Sequence, residues 1–315
     1  MLDLSAWAGR RVLVTGGSGF IGRQVIAQGA VAGVELVNIS GSGKTVEGAQ
    51  TLPLDLRHHE QVIEQVRTVK PDAILHLAAG GVSYGTSSLS ALIQINVLGL
   101  EALLQAADSL PTPPPVVIAG SWFEYSPSGR ALHESDPTEP VSAYSVTKVA
   151  ANAIARHYAG RVPITVLRLF AVYGVGEQLP RLFPSVIDAT LRGVPVEMTG
   201  CEQVRDYVSV TDAAEAFWRA LKTPAAAGAP MRILNVGTGQ PTPLKRLVLL
   251  LADLLRDRGY TPDLRFGVKP YRADENMYGV ADVSMLQSVL GWLPSTDYRT
   301  GMQALIAFTV HEQRT

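Results

Sequence analysis

Short runs of hydrophobic residues alternate with amphipathic segments along the first half of the chain. The hydrophobic runs predict buried strands at 12–14, 34–39, 52–56, 73–78, 116–119 and 164–170. The segments between them have the periodicity of helices, at 20–30, 59–69, 88–109 and 144–159. Strands that alternate with helices form a parallel, doubly wound sheet, and its ligands lie beyond the carboxyl ends of the strands. The pattern therefore predicts an α/β fold.

The pattern is less regular from about residue 173 onward. A loop is expected at 174–184, and a connector rich in Pro, Ala and Gly at 224–230. Helices are predicted at 183–191, 212–221 and 244–258, and one strand at 233–236. Thr211 is the expected cap of the helix at 212, because a threonine hydroxyl can accept from a free N–H of the first turn. We expect this part of the chain to form a smaller lobe interleaved with the sheet.

A glycine-rich segment joins the first predicted strand to the first predicted helix. Gly16, Gly19 and Gly22 fit the pattern G-x-x-G-x-x-G. The first glycine allows a tight turn, the second lets the backbone approach a pyrophosphate, and the third lets the helix pack closely on the sheet. The free N–H groups of the helix N-terminus favour phosphate. Glycine-rich turns also occur without a ligand, but the position between a strand and a helix favours a dinucleotide.

The end of the second strand bears on which dinucleotide is bound. An acidic residue about 20 residues beyond the glycines normally binds the adenosine ribose of NAD. This chain instead has Asn38-Ile39-Ser40, followed by Ser42 and Lys44. These side chains offer hydroxyl, amide and ammonium donors to a 2′-phosphate, so NADP(H) is favoured and NAD(H) remains possible.

Composition and charge limit the setting. The 315 residues are 47% hydrophobic and 17% charged, as in a globular protein, and a net charge of −1 gives no electrostatic case for nucleic acid or membrane. Cys201 is the one cysteine, so an internal disulfide is impossible and an intracellular setting is expected. The N-terminus lacks the pattern of a signal peptide, and no run of about 18 apolar residues predicts a membrane span. We expect a cytoplasmic protein.

Tyr144 and Lys148 form the pattern Y-x-x-x-K on a predicted helix. Residues four apart lie on one face, so the phenol and the ammonium point the same way. A phenol with a pKa near 10 transfers protons poorly at neutral pH. A neighbouring cation and the positive nicotinamide ring of a bound dinucleotide both favour the phenolate, so they are expected to lower that pKa. Two such residues also form ordinary exposed helix surfaces. The glycine-rich turn upstream and Ser121 at the end of the fifth strand favour the catalytic interpretation.

With these motifs taken in order, the chain resembles the extended short-chain dehydrogenase/reductase family, and within it the nucleotide-sugar epimerases, dehydratases and ketoreductases. The segments that carry the resemblance are 15–22, 55–56, 76–79, Asn96, Ser121, 144–148, 168–174 and 204–208. The resemblance implies an NAD(P)-binding Rossmann domain at 1–172 and a smaller substrate-binding lobe at 173–315. It also implies a homodimer that pairs through the helices at 88–109 and 144–158.

The resemblance assigns roles to individual residues. It implies that Ser121 hydrogen-bonds the substrate oxygen, Tyr144 exchanges the proton, and Lys148 holds the nicotinamide ribose and tunes Tyr144. It places Asp55 and Leu56 at the adenine. The full cofactor set that we expect is Gly16, Ser18, Gly19, Phe20, Ile21, Gly22, Ser40, Ser42, Lys44, Asp55, Leu56, Leu77, Ala78, Ala79, Asn96, Tyr144 and Lys148. No metal site is predicted. Ser121 alone could equally be a turn residue at a strand end.

The substrate implied by the resemblance is a nucleoside-diphosphate sugar held by arginines. Arg205 matches the family's pyrophosphate-binding position, Arg272 is similar to a second such arginine, and Arg181 completes the expected set. Guanidinium groups suit phosphate oxygens because they bind them bidentately. Arg205 could instead pair with an internal carboxylate, either Asp206 or Asp212. The chain departs from the family at Ala171, where an asparagine amide commonly meets the diphosphate.

The residues after Ser121 narrow the reaction. Dehydratases of the family carry acidic residues there, whereas this chain has Trp122 and Phe123, and Glu124 is expected to point away. The combined epimerase–reductases use a cysteine and a histidine, where this chain has Phe123 and Gly176. Hydride transfer at one sugar carbon remains, by a 4-ketoreductase or a 4-epimerase, and the expected NADP(H) favours the ketoreductase. A regulatory protein that binds the dinucleotide without catalysis is a third possibility, against which the Tyr/Lys pair argues.

Overall fold

The computed structural model describes residues 2–81, 88–226, 228–272 and 275–312. Its strands are β1 Arg11–Thr15, β2 Glu35–Ser40, β3 Gln50–Pro53, β4 Ala73–His76, β5 Val116–Ser121, β6 Ile164–Leu169, β7 Ala171–Tyr173, β8 Val196–Glu197, β9 Val204–Arg205, β10 Tyr207–Ser209, β11 Arg232–Val236, β12 Thr242–Pro243, β13 Leu264–Arg265 and β14 Tyr278–Gly279. Its α-helices are α1 Phe20–Val31, α2 His59–Val69, α3 Leu89–Ile93, α4 Gly99–Asp108, α5 Ala143–Tyr158, α6 Leu182–Leu191, α7 Val210–Lys222, α8 Leu244–Arg256, α9 Ser284–Leu290 and α10 Tyr298–Glu312.

The central sheet has seven strands in the order β3-β2-β1-β4-β5-β6-β11, and all its pairs are parallel. Successive residues of a strand point to opposite faces, so both faces acquire a core. Val12 and Val14 pack into the cluster that contains Trp218 of α7, whereas Leu13 packs into the opposite cluster with Leu103 of α4. The predicted doubly wound α/β fold is confirmed.

The third strand is displaced from its predicted position at 52–56. It runs from Gln50 to Pro53, in register with β2 up to the pair Ser40 and Pro53. Beyond it, the Asp55 carboxylate accepts from the backbone N–H of Arg57 at 2.9 Å and draws the chain into a turn. This local hydrogen bond competes with continuation of the strand.

The predicted helix at 88–109 is interrupted by a π-helical segment, Gln94–Leu98. The segment contains Asn96, and π-helical turns often accompany functional sites. By length and composition alone, the stretch Leu89–Asp108 could cross a membrane, but this is weak evidence because half of it is buried, as in core helices of soluble proteins.

The cap of α7 is Ser209, and the prediction that Thr211 caps it is wrong. The Ser209 hydroxyl accepts from the backbone N–H of Asp212 at 3.0 Å, so the helix begins two residues earlier than the sequence indicated. The Asp212 carboxylate in turn accepts from the backbone N–H groups of Ser295 and Thr296, at 3.1 and 2.9 Å.

The residues after β6 supply both the edge strand β11 and a further hydrophobic cluster built on α6, α8 and α10. Short strands from this region reach the carboxyl end of the sheet. A Cβ atom on Gly279 of β14 would lie 2.4 Å from the Trp122 ring, directly after β5. The lobe therefore packs against the edge where the polar motifs gather.

Candidate active site

The glycine-rich turn between β1 and α1 is tightly packed at two of its three glycines. Gly16 has a φ of +74°, and a Cβ there would lie 2.6 Å from the backbone nitrogen of Ala78. A Cβ on Gly22 would lie 2.2 Å from the carbonyl oxygen of Gly16. A Cβ on Gly19 would meet only that same oxygen, at 3.1 Å. Gly16 and Gly22 thus shape the turn, whereas a Cβ on Gly19 would meet no side chain of the described residues within 4 Å.

Asn38 supports the glycine-rich turn, a role that its predicted position at the end of a strand did not indicate. The buried Asn38 carbonyl oxygen accepts from the backbone N–H of Gly17 at 3.0 Å. Gly19 is the N-cap of α1 and provides no side chain to its first turn. The N–H groups of that turn are therefore available to an anion, and a pyrophosphate fits this site.

The residues expected to choose between NAD and NADP lie together at the end of β2. The hydroxyl of Ser40 is 3.3 Å from that of Ser18 and 3.1 Å from that of Ser42, and the Lys44 side chain is exposed. A carboxylate is also near, contrary to the sequence interpretation. A Cβ on Gly41 would lie 3.8 Å from Asp55.

Asp55 does not stand alone at this edge. Its carboxylate pairs with the Arg57 guanidinium at 2.6 Å, and the hydrogen bond from Arg57 lowers the pKa of Asp55. Leu56 is buried against Gly99, where a Cβ would lie 2.9 Å from the Leu56 Cβ. Ile21 is half-buried on the sheet, and the Phe20 ring would touch a Cβ on Gly176 at 3.8 Å.

Asn96 supports the end of β4 from the π-helical segment. Its carbonyl oxygen accepts from the Gly80 N–H at 2.7 Å, and its amide nitrogen donates to the Gly80 carbonyl at 3.1 Å. The amide nitrogen also donates to the Thr147 hydroxyl of α5 at 2.9 Å. Asn96 therefore holds in place the segment of Leu77, Ala78 and Ala79 that the resemblance assigns to the cofactor.

Ser121, Tyr144 and Lys148 meet at the carboxyl ends of β5 and β6. The Ser121 side chain lies near the Tyr144 phenol and lowers its pKa. The Lys148 ammonium lies 5.6 Å from the centroid of the Tyr144 ring and donates to the carbonyl of Ala119 at 2.8 Å. The structure thus brings together the three residues that the resemblance assigns to proton exchange.

The ionisation of these groups differs from the expectation. Burial raises the pKa of Tyr144 to about 12, against the opposing hydrogen bond from Ser121, so the expected lowering of this pKa is not found. Burial lowers the pKa of Lys148 to about 8. His76 stays neutral beside them, since burial lowers its pKa to about 3. At neutral pH the Tyr144 phenol keeps its proton, which is the form that a proton donor needs.

The residues after Ser121 form an aromatic layer. The Trp122 ring stacks on Phe123, with centroids 4.4 Å apart, and on Phe170 at 6.1 Å. The Arg205 guanidinium lies 5.6 Å from the centroid of the Trp122 ring. Glu124 is fully buried, where it pairs with Arg168 at 2.6 Å. The aromatic layer thus follows Ser121 directly in the chain, has Arg205 beside it and contains no ionisable group.

The three candidate substrate arginines have protein partners in this structure. Arg205 pairs with Glu275 at 2.7 Å, and not with either of the two aspartates considered from the sequence. Arg181 lies 3.9 Å from the buried Glu177, whose pKa burial raises to about 7. The backbone carbonyl of Arg272 accepts from the Glu275 N–H at 3.2 Å, and Arg272 has a further interaction within the protein.

The Asp206 carboxylate accepts hydrogen bonds from backbone N–H groups and one hydroxyl, and it does not pair with an arginine in the described part of the chain. Its carboxylate accepts from the N–H and the hydroxyl of Thr238 at 2.7 Å each, and from the N–H groups of Gly239 and Ala281 at 2.8 and 3.2 Å. This arrangement fixes the chain between β9 and β10 and holds the neighbouring Arg205 beside Trp122. Within the described ranges, no group of three or more His, Cys, Asp or Glu residues could hold a metal ion.

Comparison with known proteins identifies the family. The model of the NAD dependent epimerase/dehydratase family matches residues 12–237, which span the whole parallel sheet and the residues around Ser121, Tyr144 and Lys148. The chain belongs to this family, and the family predicted from the motifs is confirmed.

Individual relatives place it among enzymes of nucleotide sugars. The chain is 29% identical to the dTDP-6-deoxy-L-talose 4-dehydrogenase (NAD(P)(+)) of Kitasatospora kifunensis, over 94% of each chain. It is 27% identical to the GDP-6-deoxy-D-talose 4-dehydrogenase of Aggregatibacter actinomycetemcomitans, over 94% of this chain and 95% of that enzyme. The structure of MoeE5 in complex with UDP-glucose and NAD superposes with a TM-score of 0.84 at 29% identity, over 96% of this chain and 99% of MoeE5.

Proposed function

We propose that this protein is an NADP(H)-dependent 4-ketoreductase of a nucleoside-diphosphate 4-keto-(deoxy)sugar. The observation that carries the proposal is that the Lys148 ammonium lies 5.6 Å from the centroid of the Tyr144 ring and that Ser121 is near enough to lower the pKa of the Tyr144 phenol. Ser121 would orient the C4 oxygen and Tyr144 would give it a proton. The dinucleotide, when bound, supplies the hydride. Gly19, where a Cβ would meet only a backbone oxygen, and the uncapped first turn of α1 support binding of its pyrophosphate.

The neighbourhood of Ser121 argues against elimination of water. A dehydratase needs an additional acid or base next to the reacting carbons. Trp122 and Phe123 cannot transfer protons, and both oxygens of the Glu124 carboxylate are already bonded within the protein. Simple proton and hydride exchange at one carbon is the chemistry that these side chains support.

The diphosphate of the substrate would bind the candidate substrate arginines, with Arg205 foremost among them. The Arg205 guanidinium lies 5.6 Å from the centroid of the Trp122 ring, and Trp122 directly follows Ser121. With the sugar C4 at Tyr144, we expect the diphosphate on C1 to bind Arg205. The ion pair between Arg205 and Glu275 must open, or share its guanidinium, when the diphosphate binds. The Kitasatospora and Aggregatibacter relatives support nucleotide sugars oxidised or reduced at C4 as the substrate class.

NADP(H) is favoured by Ser40, Ser42 and Lys44, whose donors surround the end of β2. The Asp55 carboxylate lies near this site and would repel a 2′-phosphate. The Arg57 guanidinium pairs with Asp55 and compensates its charge, so the repulsion is weaker than that of a lone carboxylate. MoeE5, which binds NAD, favours a second candidate function, an NAD-dependent 4-epimerase that oxidises and then reduces the same carbon.

The deciding experiment measures NADPH and NADH oxidation by the purified protein with dTDP-, CDP-, UDP- and GDP-linked 4-keto-6-deoxysugars. Stoichiometric oxidation of NADPH with a stable alcohol product supports the reductase. Tightly bound NAD in the purified protein, with interconversion of two C4 epimers and no net cofactor turnover, favours the epimerase. Absence of both activities with these nucleotide sugars contradicts the proposal.

A further inference from the structure

Glu124 is a buried carboxylate with no assigned part in the chemistry. Its exposed fraction is 0%. One oxygen accepts from the backbone N–H of Ser121 at 2.8 Å. The other accepts from the Asn152 amide and the Arg168 guanidinium, each at 2.6 Å. Both carboxylate oxygens therefore accept hydrogen bonds within the protein, and these bonds fix the side chain.

The partners of this carboxylate come from three elements that carry the site. Ser121 ends β5, Arg168 lies in β6, and Asn152 lies in α5. Asn152 is four residues after Lys148 and eight after Tyr144, so the three side chains follow one face of the helix. Glu124 therefore joins the backbone of the serine to the helix face that bears the phenol and the ammonium.

A buried ion pair alone is no evidence of a role beyond folding, since replacing such a pair by apolar residues is often neutral. Two observations at Glu124 are not explained by an ion pair alone. The carboxylate holds the backbone N–H of Ser121 itself, and the chain makes room for it, because a Cβ on Gly120 would lie 3.0 Å from the Glu124 oxygen. A hydrophobic substitute could fill the volume but could not hold that N–H group.

We propose that Glu124 is a positioning residue that fixes Ser121 relative to Tyr144 and Lys148 through its bonds to the Ser121 backbone and to Asn152. The inference rests on the proposed roles of these three residues. A displacement of about 1 Å in such a constellation costs up to about 100-fold in rate, so a firm link between strand and helix has a large effect on turnover.

The charge of Glu124 also acts on the site. It raises the pKa of Lys148, which opposes the larger lowering by burial. It also raises the pKa of Tyr144, which adds to the larger raising by burial. Among the described residues, Arg168 pairs with Glu124 and Arg181 lowers the pKa of Tyr144, while Arg205 lies farther along the aromatic layer beside Trp122. Without the negative charge, the phenolate is favoured and the ammonium is disfavoured, so both pKa values fall.

The test compares Glu124→Gln with Asn152→Ala and with the control Glu134→Gln. Glu134 is a second buried glutamate of this region, but its carboxylate accepts from the Asn235 backbone and does not touch Ser121. The measurements are kcat and KM with a 4-keto nucleotide sugar, the Kd of the dinucleotide, the melting temperature, and the titration of Tyr144. That titration is followed by NMR of protein labelled with ¹³C at tyrosine Cζ, with the signal assigned by Tyr144→Phe.

In Glu124→Gln we expect kcat to fall about tenfold or more while KM and the dinucleotide Kd change less than about threefold. The Tyr144 titration and the basic limb of the kcat profile should move to lower pH by about half a unit or more. Asn152→Ala should lower kcat by a smaller factor than Glu124→Gln does, and its melting temperature should fall little in comparison with its kcat. Glu134→Gln should resemble the wild type in kcat and in the titration.

Two results overturn the inference. One is an unchanged kcat and an unchanged Tyr144 titration in Glu124→Gln. The other is a parallel loss of kcat, dinucleotide affinity and melting temperature, which a role in folding alone would give. If Glu124→Gln does not fold, an unchanged kcat in Asn152→Ala overturns it and a selective loss of kcat supports it. If the wild type turns over no nucleotide sugar, the proposed function fails, and the NMR titration still decides the role of Glu124.

Discussion

The Lys148 ammonium donates a hydrogen bond to the backbone carbonyl of Ala119 at 2.8 Å. Ala119 precedes Ser121 by two residues in β5, so the lysine is anchored to the strand that ends at the serine. The side chain is only 5% exposed, and its burial lowers the pKa of Lys148 to about 8. The protein therefore holds an ammonium group at a position where its charge is costly for folding.

The first prediction follows from this cost. Between pH values of about 8 and 10.5 the unfolded chain binds a proton at Lys148 that the folded chain has lost. Stability should therefore rise with pH across this window, by on the order of 3 kcal/mol from this residue. Lys148→Met should lack this rise and should also weaken dinucleotide binding, because the ammonium would hold the nicotinamide ribose.

Urea unfolding of both proteins at several pH values between about 7 and 10.5 measures this difference. Lys269→Met is the control, because Lys269 is an exposed lysine and its loss should leave the pH dependence unchanged. Equal pH dependence in the wild type and in Lys148→Met would show that the buried lysine does not carry this penalty.

The second prediction concerns proton donation by Tyr144. Tyr144→Phe should lower kcat by about 10²–10⁴, the usual contribution of a positioned general acid, with the dinucleotide Kd nearly unchanged. Tyr158→Phe is a matched control on the same helix, since its hydroxyl bonds Glu101 at 2.8 Å and not Ser121. Ser121→Ala should lower kcat without weakening dinucleotide binding. A soluble, cofactor-binding Tyr144→Phe with turnover within a few-fold of the wild type would refute the mechanism.

The sequence located most strands of the sheet because they are short buried hydrophobic runs bounded by turn residues. The exception is β3, none of whose four residues is buried. The strand at 73–78 and the helix at 59–69 could be located in this way, the helix to the residue. The short strands of the lobe could not. Val204–Arg205 pairs with both Thr242 and Tyr278, so its conformation depends on partners far along the chain and not on local periodicity.

The candidate site divides in the same way. The glycine-rich turn, Tyr144 and Lys148 carry fixed spacings that the sequence displays. The bond from Glu124 to Arg168 spans 44 residues and that from Arg205 to Glu275 spans 70, so only the folded chain brings these pairs together. The pKa of Tyr144 was mispredicted for a related reason, since local spacing reveals the nearby cation but not the extent of burial.

The third prediction separates the roles of two glycines. Gly22→Ala places a Cβ 2.2 Å from the Gly16 carbonyl, so the turn must distort and both the melting temperature and dinucleotide affinity should fall. In Gly19→Ala the nearest protein atom to the added Cβ is 3.1 Å away. We expect Gly19→Ala to keep most of its stability and to lose affinity, because the methyl group occupies the space proposed for the pyrophosphate.

Thermal unfolding and fluorescence titration with NADPH and NADH measure both effects. Gly129→Ala is a suitable control, because a Cβ at Gly129 meets no atom within 4 Å. If Gly19→Ala binds both dinucleotides as tightly as the wild type does, the pyrophosphate does not lie at this turn.

The fourth prediction concerns the choice of cofactor. If Ser40, Ser42 and Lys44 hold a 2′-phosphate, NADPH should bind about tenfold or more tightly than NADH, a difference of about 1.4 kcal/mol. Lys44→Ala should reduce that ratio and leave the NADH affinity nearly unchanged, because NADH has no 2′-phosphate for the ammonium to attract. Arg246→Ala, which removes an exposed cation from α8, should leave the ratio unchanged.

The arginine beside Asp55 refines this prediction. Arg57→Ala leaves the Asp55 carboxylate without the guanidinium that now pairs with it at 2.6 Å. The uncompensated charge near Gly41 should repel a 2′-phosphate, so NADPH affinity should fall more than NADH affinity. Isothermal titration of the wild type and these variants with both dinucleotides measures the ratios. Equal affinities in the wild type would remove the main support for NADP(H), and the NAD-dependent 4-epimerase would then become the favoured function.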